Sequence, residues 1–351
     1  MWLLKNITPF AAENSWVRDE DGSEVLLVAV KATVLVGEDG KLAFDEEQEE
    51  VSYVPVFRGE PESSSLLYES DLVHKKVRTD VLVEGRAHAP GGKPATRVDV
   101  RLKLGKIDKT LRVHGDRVVE DSPFGVATSR PEPFLEMPIT YERSFGGTDV
   151  KDRDPKRHAW EPRNPVGVGF ATKKEHVLGS PAPNVEDPEQ PYESWDRGMP
   201  VGFGPVARHW SPRVGYAGTY DQEWEETRSP LLPKDFDARY YQCAPEDQQA
   251  GEFLKGGEQV ELFNMTPEGY LAFRLPRVSL RMTSRFYDGS SEEHRPELHT
   301  VILQPDRRRF QLVWHSGLPC HHKVNKLRET TVSVKRRIPK RAAGPAAGAT
   351  A

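Results

Sequence analysis

The feature that most constrains the fold is an alternation of apolar and polar residues at period two, which occurs towards both ends of the chain. In the N-terminal part, Glu24 to Val36 is a long β-branched run that stops at Gly37, and Arg97 to Leu104 alternates strictly. In the C-terminal part, Leu298 to Leu303 and Phe310 to Trp314 repeat the pattern. Because successive side chains of a strand point to opposite faces, the alternation predicts antiparallel sheets with one solvated face. No helical pattern separates the strands, which argues against a parallel β-α-β fold.

The middle of the chain has a different composition. Seventeen of the 29 prolines lie in residues 123–250, and ten of the 31 aromatic residues lie in residues 192–241. Proline donates no hydrogen bond to a sheet, whereas disordered segments are poor in aromatic residues. We therefore expect a long, ordered, irregular segment that is held by aromatic burial. Its best helix candidate is Pro245 to Leu254, which has two acidic residues near its start and is followed by Gly256-Gly257.

Together these patterns predict an all-β fold of mainly antiparallel sheets, with an ordered Gly/Pro/aromatic-rich middle segment and at most a short helix. We divide the chain into an N-terminal β region at residues 1–122, a loop-rich aromatic segment at residues 123–257, and a C-terminal β region at residues 258–337 that packs with the first. Residues 338–351 form a basic tail of Ala, Gly and Pro that has little to bury, so we expect it to be disordered.

The charge of the whole chain gives no long-range attraction to nucleic acid or to an anionic membrane, because 49 Lys and Arg face 54 Asp and Glu. The two ends differ, however. Residues 1–62 carry five basic and fourteen acidic residues, whereas residues 305–351 carry eleven basic and two acidic residues. We expect these ends to attract each other or to be solvated, with docking of the basic tail on an acidic partner as the alternative.

The N-terminus predicts a cytoplasmic protein. Its apolar run is three residues long and Lys5 follows it, which is unlike a signal peptide. No apolar run approaches the roughly 18 residues that span a bilayer, so we predict no membrane insertion. In a cytoplasmic chain the two cysteines, Cys243 and Cys320, are expected to be free and buried.

Motifs for cofactor or metal chemistry are weak. Gly202-Phe203-Gly204 is followed by Pro205 and lacks the strand–turn–helix context of a phosphate loop. Cys320-His321-His322 clusters Cys and His but shows no ligand set at a zinc spacing. We therefore predict no cofactor, no metal and no small-molecule substrate.

Enzymatic alternatives rest on isolated residues. Ser144 is the serine closest to a nucleophile turn, because two glycines follow it at positions 146 and 147. Aromatic loops on β scaffolds are also typical of carbohydrate sites, where two carboxylates flank the glycosidic bond. Glu142 and Asp221, each beside a tyrosine, are the candidates for such a pair. A carbohydrate-active or other carboxylate-dependent hydrolase thus stays open as an alternative.

Several short motifs occur in an order that is more specific than any one of them. They are Lys31-Ala32-Thr33, His88-Ala89-Pro90, Tyr141-Glu142-Arg143-Ser144-Phe145-Gly146-Gly147, Arg163-Asn164-Pro165-Val166-Gly167-Val168-Gly169, Pro183-Asn184-Val185-Glu186-Asp187-Pro188, Gly202-Phe203-Gly204-Pro205, Ala217-Gly218-Thr219-Tyr220-Asp221-Gln222-Glu223-Trp224, Leu232-Pro233-Lys234-Asp235-Phe236-Asp237, Ala244-Pro245-Glu246-Asp247-Gln248 and Gly256-Gly257-Glu258. On these residues the chain resembles the bacterial family catalogued as domain of unknown function 2169, over about residues 5–335. That family commonly has Ala at the position of Ser144.

The resemblance implies a non-enzymatic function. Proteins of the family are encoded beside the spike (VgrG) and tip (PAAR) genes of type VI secretion systems, and some act as adaptors or chaperones for toxic effectors. It implies that this chain binds an effector in the cytoplasm and assists its loading onto the VgrG–PAAR spike. The family offers no established catalytic residues to carry over. A structural component that is exported with the spike is a second alternative.

The candidate partner-binding residues come from these motifs and from the aromatic segment between them, because Tyr, Trp and Arg are favoured at the centres of protein interfaces. For the two tryptophans among them, burial in a core is the competing interpretation. The candidates are Tyr141, Glu142, Arg143, Phe145, Trp210, Arg213, Tyr220, Asp221 and Trp224.

Overall fold

A computed structural model describes residues 3–320 and 324–335 of the 351-residue chain. Its strands are β1 Leu3–Asn6, β2 Ala11–Arg18, β3 Glu24–Val36, β4 Leu42–Phe44, β5 Val56–Phe57, β6 Leu66–Tyr68, β7 Asp80–Val83, β8 Arg86–His88, β9 Arg97–Leu104, β10 Ile107–His114, β11 Val119–Ser122, β12 Gly125–Thr128, β13 Glu136–Pro138, β14 Phe145–Gly146, β15 Thr148–Asp149, β16 Ala159–Trp160, β17 Val168–Gly169, β18 Val185–Glu186, β19 Gln259–Phe263, β20 Tyr270–Arg274, β21 Leu280–Phe286, β22 Ser291–His294, β23 Glu297–Gln304, β24 Arg309–Pro319 and β25 Leu327–Val334. The α-helices are α1 Lys174–Val177 and α2 Gln222–Thr227. Short 3-10 helices lie at Pro90–Gly92, Tyr141–Arg143, Pro155–Arg157, Arg213–Ala217, Ala238–Tyr241, Glu246–Gln248, Pro305–Arg307 and Val324–Lys326.

The largest sheet combines strands from both ends of the chain. Its order is β2-β3-β24-β23-β7, with β4 added on β3. The two long strands β3 and β24 pair antiparallel along their length, from Leu35 opposite Arg309 to Val25 opposite Pro319. Nearly every residue of β3 is buried, on both faces of the sheet. The expectation of one solvated face is therefore wrong for β3. A strand that is covered on both sides needs no polar face, so β3 is a nearly continuous apolar run instead of an alternating one.

Two further sheets pack with the first. The second has the order β18-β10-β9-β19-β20 and is antiparallel throughout, with β9 and β10 alternating between buried and exposed residues. The third has the order β1-β25-β21-β22, in which β1 and β25 pair in parallel. One apolar core includes Val28 and Phe310 of the first sheet, Leu102 and Leu262 of the second, and Met282 of the third. The sheets therefore share one hydrophobic interior.

Residues 123–257 contain only short elements. Their strands are two to four residues long, and α1 and α2 have four and six residues. Smaller apolar clusters hold this segment, including one around Trp210 and one around Val177. The described part of the chain has no helix that is both long and apolar enough to cross a membrane.

The prediction of an all-β, mainly antiparallel fold is confirmed. The helix predicted at Pro245 to Leu254 is wrong, because the chain forms only the 3-10 turn at Glu246–Gln248 and then runs extended beside β7. The backbone N–H of Ala250 donates to Thr79 O at 2.9 Å, and Gln249 bridges Asp80. Pairing with the edge of the sheet satisfies these backbone groups in place of helical hydrogen bonds.

Two smaller predictions concern the cysteines and the tail. Cys243 and Cys320 are free and buried, as expected. The basic tail at residues 338–351 lies outside the described residues.

Candidate functional site

Three of the motif segments meet in one place, which we call the motif cluster: residues 141–147, 163–169 and 183–188. Strand β14 pairs in parallel with β17, and Ser144 bridges Val185. The fully buried Asn164 holds the first two segments together, because its Nδ2 donates to Tyr141 O at 2.8 Å and to Phe145 O at 2.9 Å. The motif cluster is thus built by backbone contacts between segments that are distant in sequence.

Glycine is required where these backbones approach most closely. Gly146 has φ +148°, and a Cβ placed there would lie 2.1 Å from Asn164 O. A Cβ at Gly167 would lie 2.6 Å from Ser144 O. Contacts this short with backbone atoms are not tolerated, so these two motif glycines serve the packing of the cluster. Ser144 is fully buried and its Oγ accepts from Val201 N at 2.9 Å, which gives it a structural role.

Glu142 and Arg143 lie at the surface of the motif cluster, beside a groove of about 590 Å³. Burial raises the pKa of Glu142, but hydrogen bonds from Ser65 N at 2.7 Å and Ser65 Oγ at 3.0 Å outweigh it and hold the pKa below its usual value. Arg143 Nη1 donates to Asp116 at 3.0 Å and to Asn184 at 3.1 Å. Both candidates are therefore fixed by neighbours and remain in part accessible to solvent.

Four other candidates are buried. The rings of Tyr141 and Trp210 meet edge to face at 5.5 Å, and Phe145 contacts the rings of Phe170 and Tyr192. Burial also raises the pKa of Tyr141.

Arg213 is the fourth of these buried residues. It forms an ion pair with Glu69 at 2.6 Å and donates to Tyr240 O at 2.7 Å. In this structure all four side chains contribute to the packing of the middle segment. The prediction of a partner surface then depends on the exposed candidates.

The last three candidates lie in another part of the middle segment, residues 216–241, which we call the aromatic lobe. Asp221 caps α2 by accepting from Trp224 N at 2.9 Å, and Trp224 Nε1 donates to Leu231 O at 2.8 Å. The ring of Tyr220 packs edge to face on Trp224 at 4.7 Å and is 54% exposed. Arg239 stacks over the ring of Tyr216 at 4.3 Å. The aromatic lobe thus presents Tyr and Arg side chains that its own contacts hold in place.

The structure does not bring the two candidate carboxylates of the hydrolase alternative into one cavity. Glu142 lines the groove beside the motif cluster, whereas Asp221 lines a smaller cavity of about 130 Å³ on the aromatic lobe. Within residues 3–320 and 324–335, no three His, Cys, Asp or Glu side chains are grouped so that they hold a metal. Of the sequence Cys320-His321-His322, the two histidines lie outside the described residues.

The sequence interpretation missed a cavity of about 520 Å³ near the aromatic lobe, which we call the histidine cavity. Its lining includes His74, His299 and His315, and the rings of His299 and His315 stack at 4.6 Å. The ring of His74 contacts that of Tyr241 at 5.9 Å, which joins the cavity to the lobe. His299 lies in the predicted strand Leu298 to Leu303, and His315 directly follows the predicted strand Phe310 to Trp314, but nothing in the spacing indicates that the two histidines meet.

A comparison with known protein families assigns the chain to one of them. A profile of the family described as "Uncharacterized protein conserved in bacteria (DUF2169)" matches residues 21–315, which is well over half of the sequence. The chain belongs to this family. Residues of the motif cluster, the aromatic lobe and the histidine cavity all fall within the matched range, apart from a few at the edges of the cavity. No curated protein and no solved structure matched the chain.

Proposed function

We propose that this chain is a non-enzymatic adaptor or chaperone that binds a type VI secretion effector in the cytoplasm and assists its loading onto the VgrG–PAAR spike. The resemblance of the motif segments to proteins encoded beside spike genes motivates the proposal. The observation that carries it is the aromatic lobe, where Tyr220 is exposed and is held by Trp224 and α2. Aromatic side chains that are rigid before binding lose little entropy in an interface and are typical of its energetic centre.

The mechanism has two steps. The adaptor binds an aggregation-prone or PAAR-linked segment of the effector through its exposed aromatic and arginine side chains. It then presents that segment to the spike and is left behind. Release requires that spike binding competes with adaptor binding, or that the affinity of the adaptor for the effector is moderate.

The test is a capture of partners from native cytosol by the tagged full chain, with identification by mass spectrometry. We expect one toxin-like protein together with a PAAR or VgrG protein. Tyr220→Ala should weaken their binding roughly 30-fold and reduce their recovery, because loss of an interface hot spot costs about 2 kcal/mol. Tyr270→Ala is the matched control, since Tyr270 is also an exposed tyrosine at 48% but lies on β20.

Three outcomes decide between this function and its alternatives. Recovery of the chain alone at high yield refutes a stable adaptor complex. Equal loss of partners in both tyrosine variants refutes the aromatic lobe as the interface. Stoichiometric presence of the chain in the secreted fraction supports an exported spike component instead, because an adaptor remains inside the cell.

A further inference from the structure

The histidine cavity is open to solvent and has a floor of buried rings. His299 and His315 are 5% and 2% exposed, and Phe253 stacks on His299 at 5.5 Å with the ring planes 13° apart. Phe253, His299 and His315 therefore form a continuous stack of three rings along one side of the cavity. Cavities of about this size accommodate a side chain or a small ligand.

A β-bulge brings the two histidines together. Leu298 pairs with Trp314 of β24 and Thr300 pairs with Val313, so that His299 is the extra residue between them. A bulge interrupts the alternation of a strand and redirects the side chain at that point. Here it places the imidazole of His299 against that of His315.

Both rings carry a buried polar atom without a protein partner. His299 Nδ1 and His315 Nε2 make no hydrogen bond to any atom of the described residues. A buried polar atom that lacks a partner costs about 1–3 kcal/mol, so such atoms are few in folded proteins and each requires an explanation, such as a bound water, ion or ligand. Two of them on adjacent rings of one cavity are the observation that points to a ligand.

The charged residues that line the cavity favour one sign of charge on a bound ligand. Four carboxylates line it, those of Asp19, Glu20, Asp21 and Glu297, against the cations Lys75, Lys76 and Arg295. The ammonium of Lys76 is engaged by Asp80 and by Thr300 Oγ1 at 2.9 Å. Among the described residues, Glu20, Asp21 and Glu297 form no ion pair. The free carboxylates therefore outnumber the free cations, which favours a positively charged ligand.

We propose that the histidine cavity binds the guanidinium group of an arginine side chain on a partner polypeptide. A guanidinium is planar, carries five N–H donors and is weakly hydrated, so it stacks on aromatic rings and donates to several acceptors at once. The ring stack supplies aromatic contact, the imidazoles supply acceptor nitrogens, and Glu20, Asp21 and Glu297 supply the counter-charge. A lysine ammonium has neither the planar shape nor the donor geometry for this arrangement.

The partner is a polypeptide because the cavity adjoins the aromatic lobe. Arg228 of the lobe donates from Nη2 to Glu20 O at 2.7 Å, and His74 contacts Tyr241. A chain bound on the lobe can therefore place a side chain in the cavity. This inference rests on the proposed function. It predicts that the effector or spike partner carries an arginine next to the residues that contact the aromatic lobe.

The test measures binding of N-acetyl-L-arginine methylamide to the full chain by NMR, with the citrulline compound as the uncharged control of equal shape. We expect the arginine probe to shift the ring resonances of His299 and His315 with saturation, and the citrulline probe to leave them unchanged. Glu297→Gln should weaken binding roughly two- to fivefold, as expected for one partly exposed ion pair. Glu62→Gln is the control, because Glu62 is exposed and does not line the cavity.

Equal shifts with both probes, or saturable binding of neither, overturn the proposal. Binding of Zn²⁺ without a response to the arginine probe also overturns it, because the imidazoles would then be metal ligands. These results are independent of partner capture. A cavity that binds no guanidinium in a chain that still captures its partners through Tyr220 refutes this inference and leaves the proposed function in place.

Discussion

The stacked histidines make a quantitative prediction about stability and pH. Burial, followed by the nearby charges of His74 and Lys76, lowers the pKa of His315 to about 3. Burial, followed by His315 and Lys76, lowers the pKa of His299 well below its usual value. The His315 imidazole is therefore neutral in the folded chain at pH 5, whereas in the unfolded chain a histidine takes up a proton below about pH 6.5.

The direction and the size of the pH effect on the free energy of unfolding follow from this difference in proton binding. Because the unfolded state binds more protons, the free energy of unfolding falls as the pH falls from about 6.5 towards the pKa values of the folded state. Between pH 7.5 and pH 5 His315 removes about 2 kcal/mol, and this amount hardly depends on the folded pKa because it lies well below 5. His299, whose pKa is also lowered by burial, acts in the same direction, and a loss of this size is a substantial share of the stability of a typical domain.

The assay is urea unfolding at pH 7.5 and pH 5.0 for the parent chain and for His315→Phe. Phenylalanine keeps a ring in the stack and removes a polar atom that has no partner in the described chain. The variant should lose about 2 kcal/mol less between the two pH values than the parent does, whatever its stability at pH 7.5. The same loss in both proteins would refute the reasoning, since other titrating groups would then be responsible.

Two further predictions concern packing. Gly146→Ala should lower the free energy of unfolding by more than about 2 kcal/mol in a urea titration, because its Cβ would meet Asn164 O. The control is Gly105→Ala, which should cost about 1 kcal/mol because Gly105 has a positive φ but open space around it. Equal costs for the two variants would contradict the close-approach argument. Lys76→Met should lower the free energy of unfolding by about 3–5 kcal/mol, because it leaves the fully buried carboxylate of Asp80 without its cation. The double variant Lys76→Met with Asp80→Asn should recover part of this loss. No recovery would show that the cost comes from packing.

Local pattern was sufficient for the strands. β3 and β9 begin and end at the predicted residues, and β23 and β24 include the predicted segments Leu298 to Leu303 and Phe310 to Trp314. These features depend on residues that are close in sequence, since side-chain alternation and turn chemistry act over a few positions. The free, buried state of Cys243 follows in the same way from composition and the expected compartment.

The motif segments show which features the local sequence pattern does not predict. The sequence by itself indicates that residues 141–147 and 163–169 are unusual, but it does not indicate that Asn164 joins them or that Tyr141 is buried against Trp210. The aromatic residues of the middle segment look equivalent in sequence, although Trp210 is buried and Tyr220 is exposed. Burial is decided by which distant elements cover a side chain, and no local periodicity records that choice.

The sequence alone thus determined the β class, the position of several long strands and membership of the family. Only the tertiary structure decided that residues 245–254 pair beside β7 instead of forming a helix, that Glu142 and Asp221 lie in different cavities, and that His299 meets His315. The physical reason is the same in each case. Period and turn chemistry are properties of neighbouring residues, whereas a site is made by contacts between residues far apart in the chain, and a single bulge in β23 is enough to change which side chains meet.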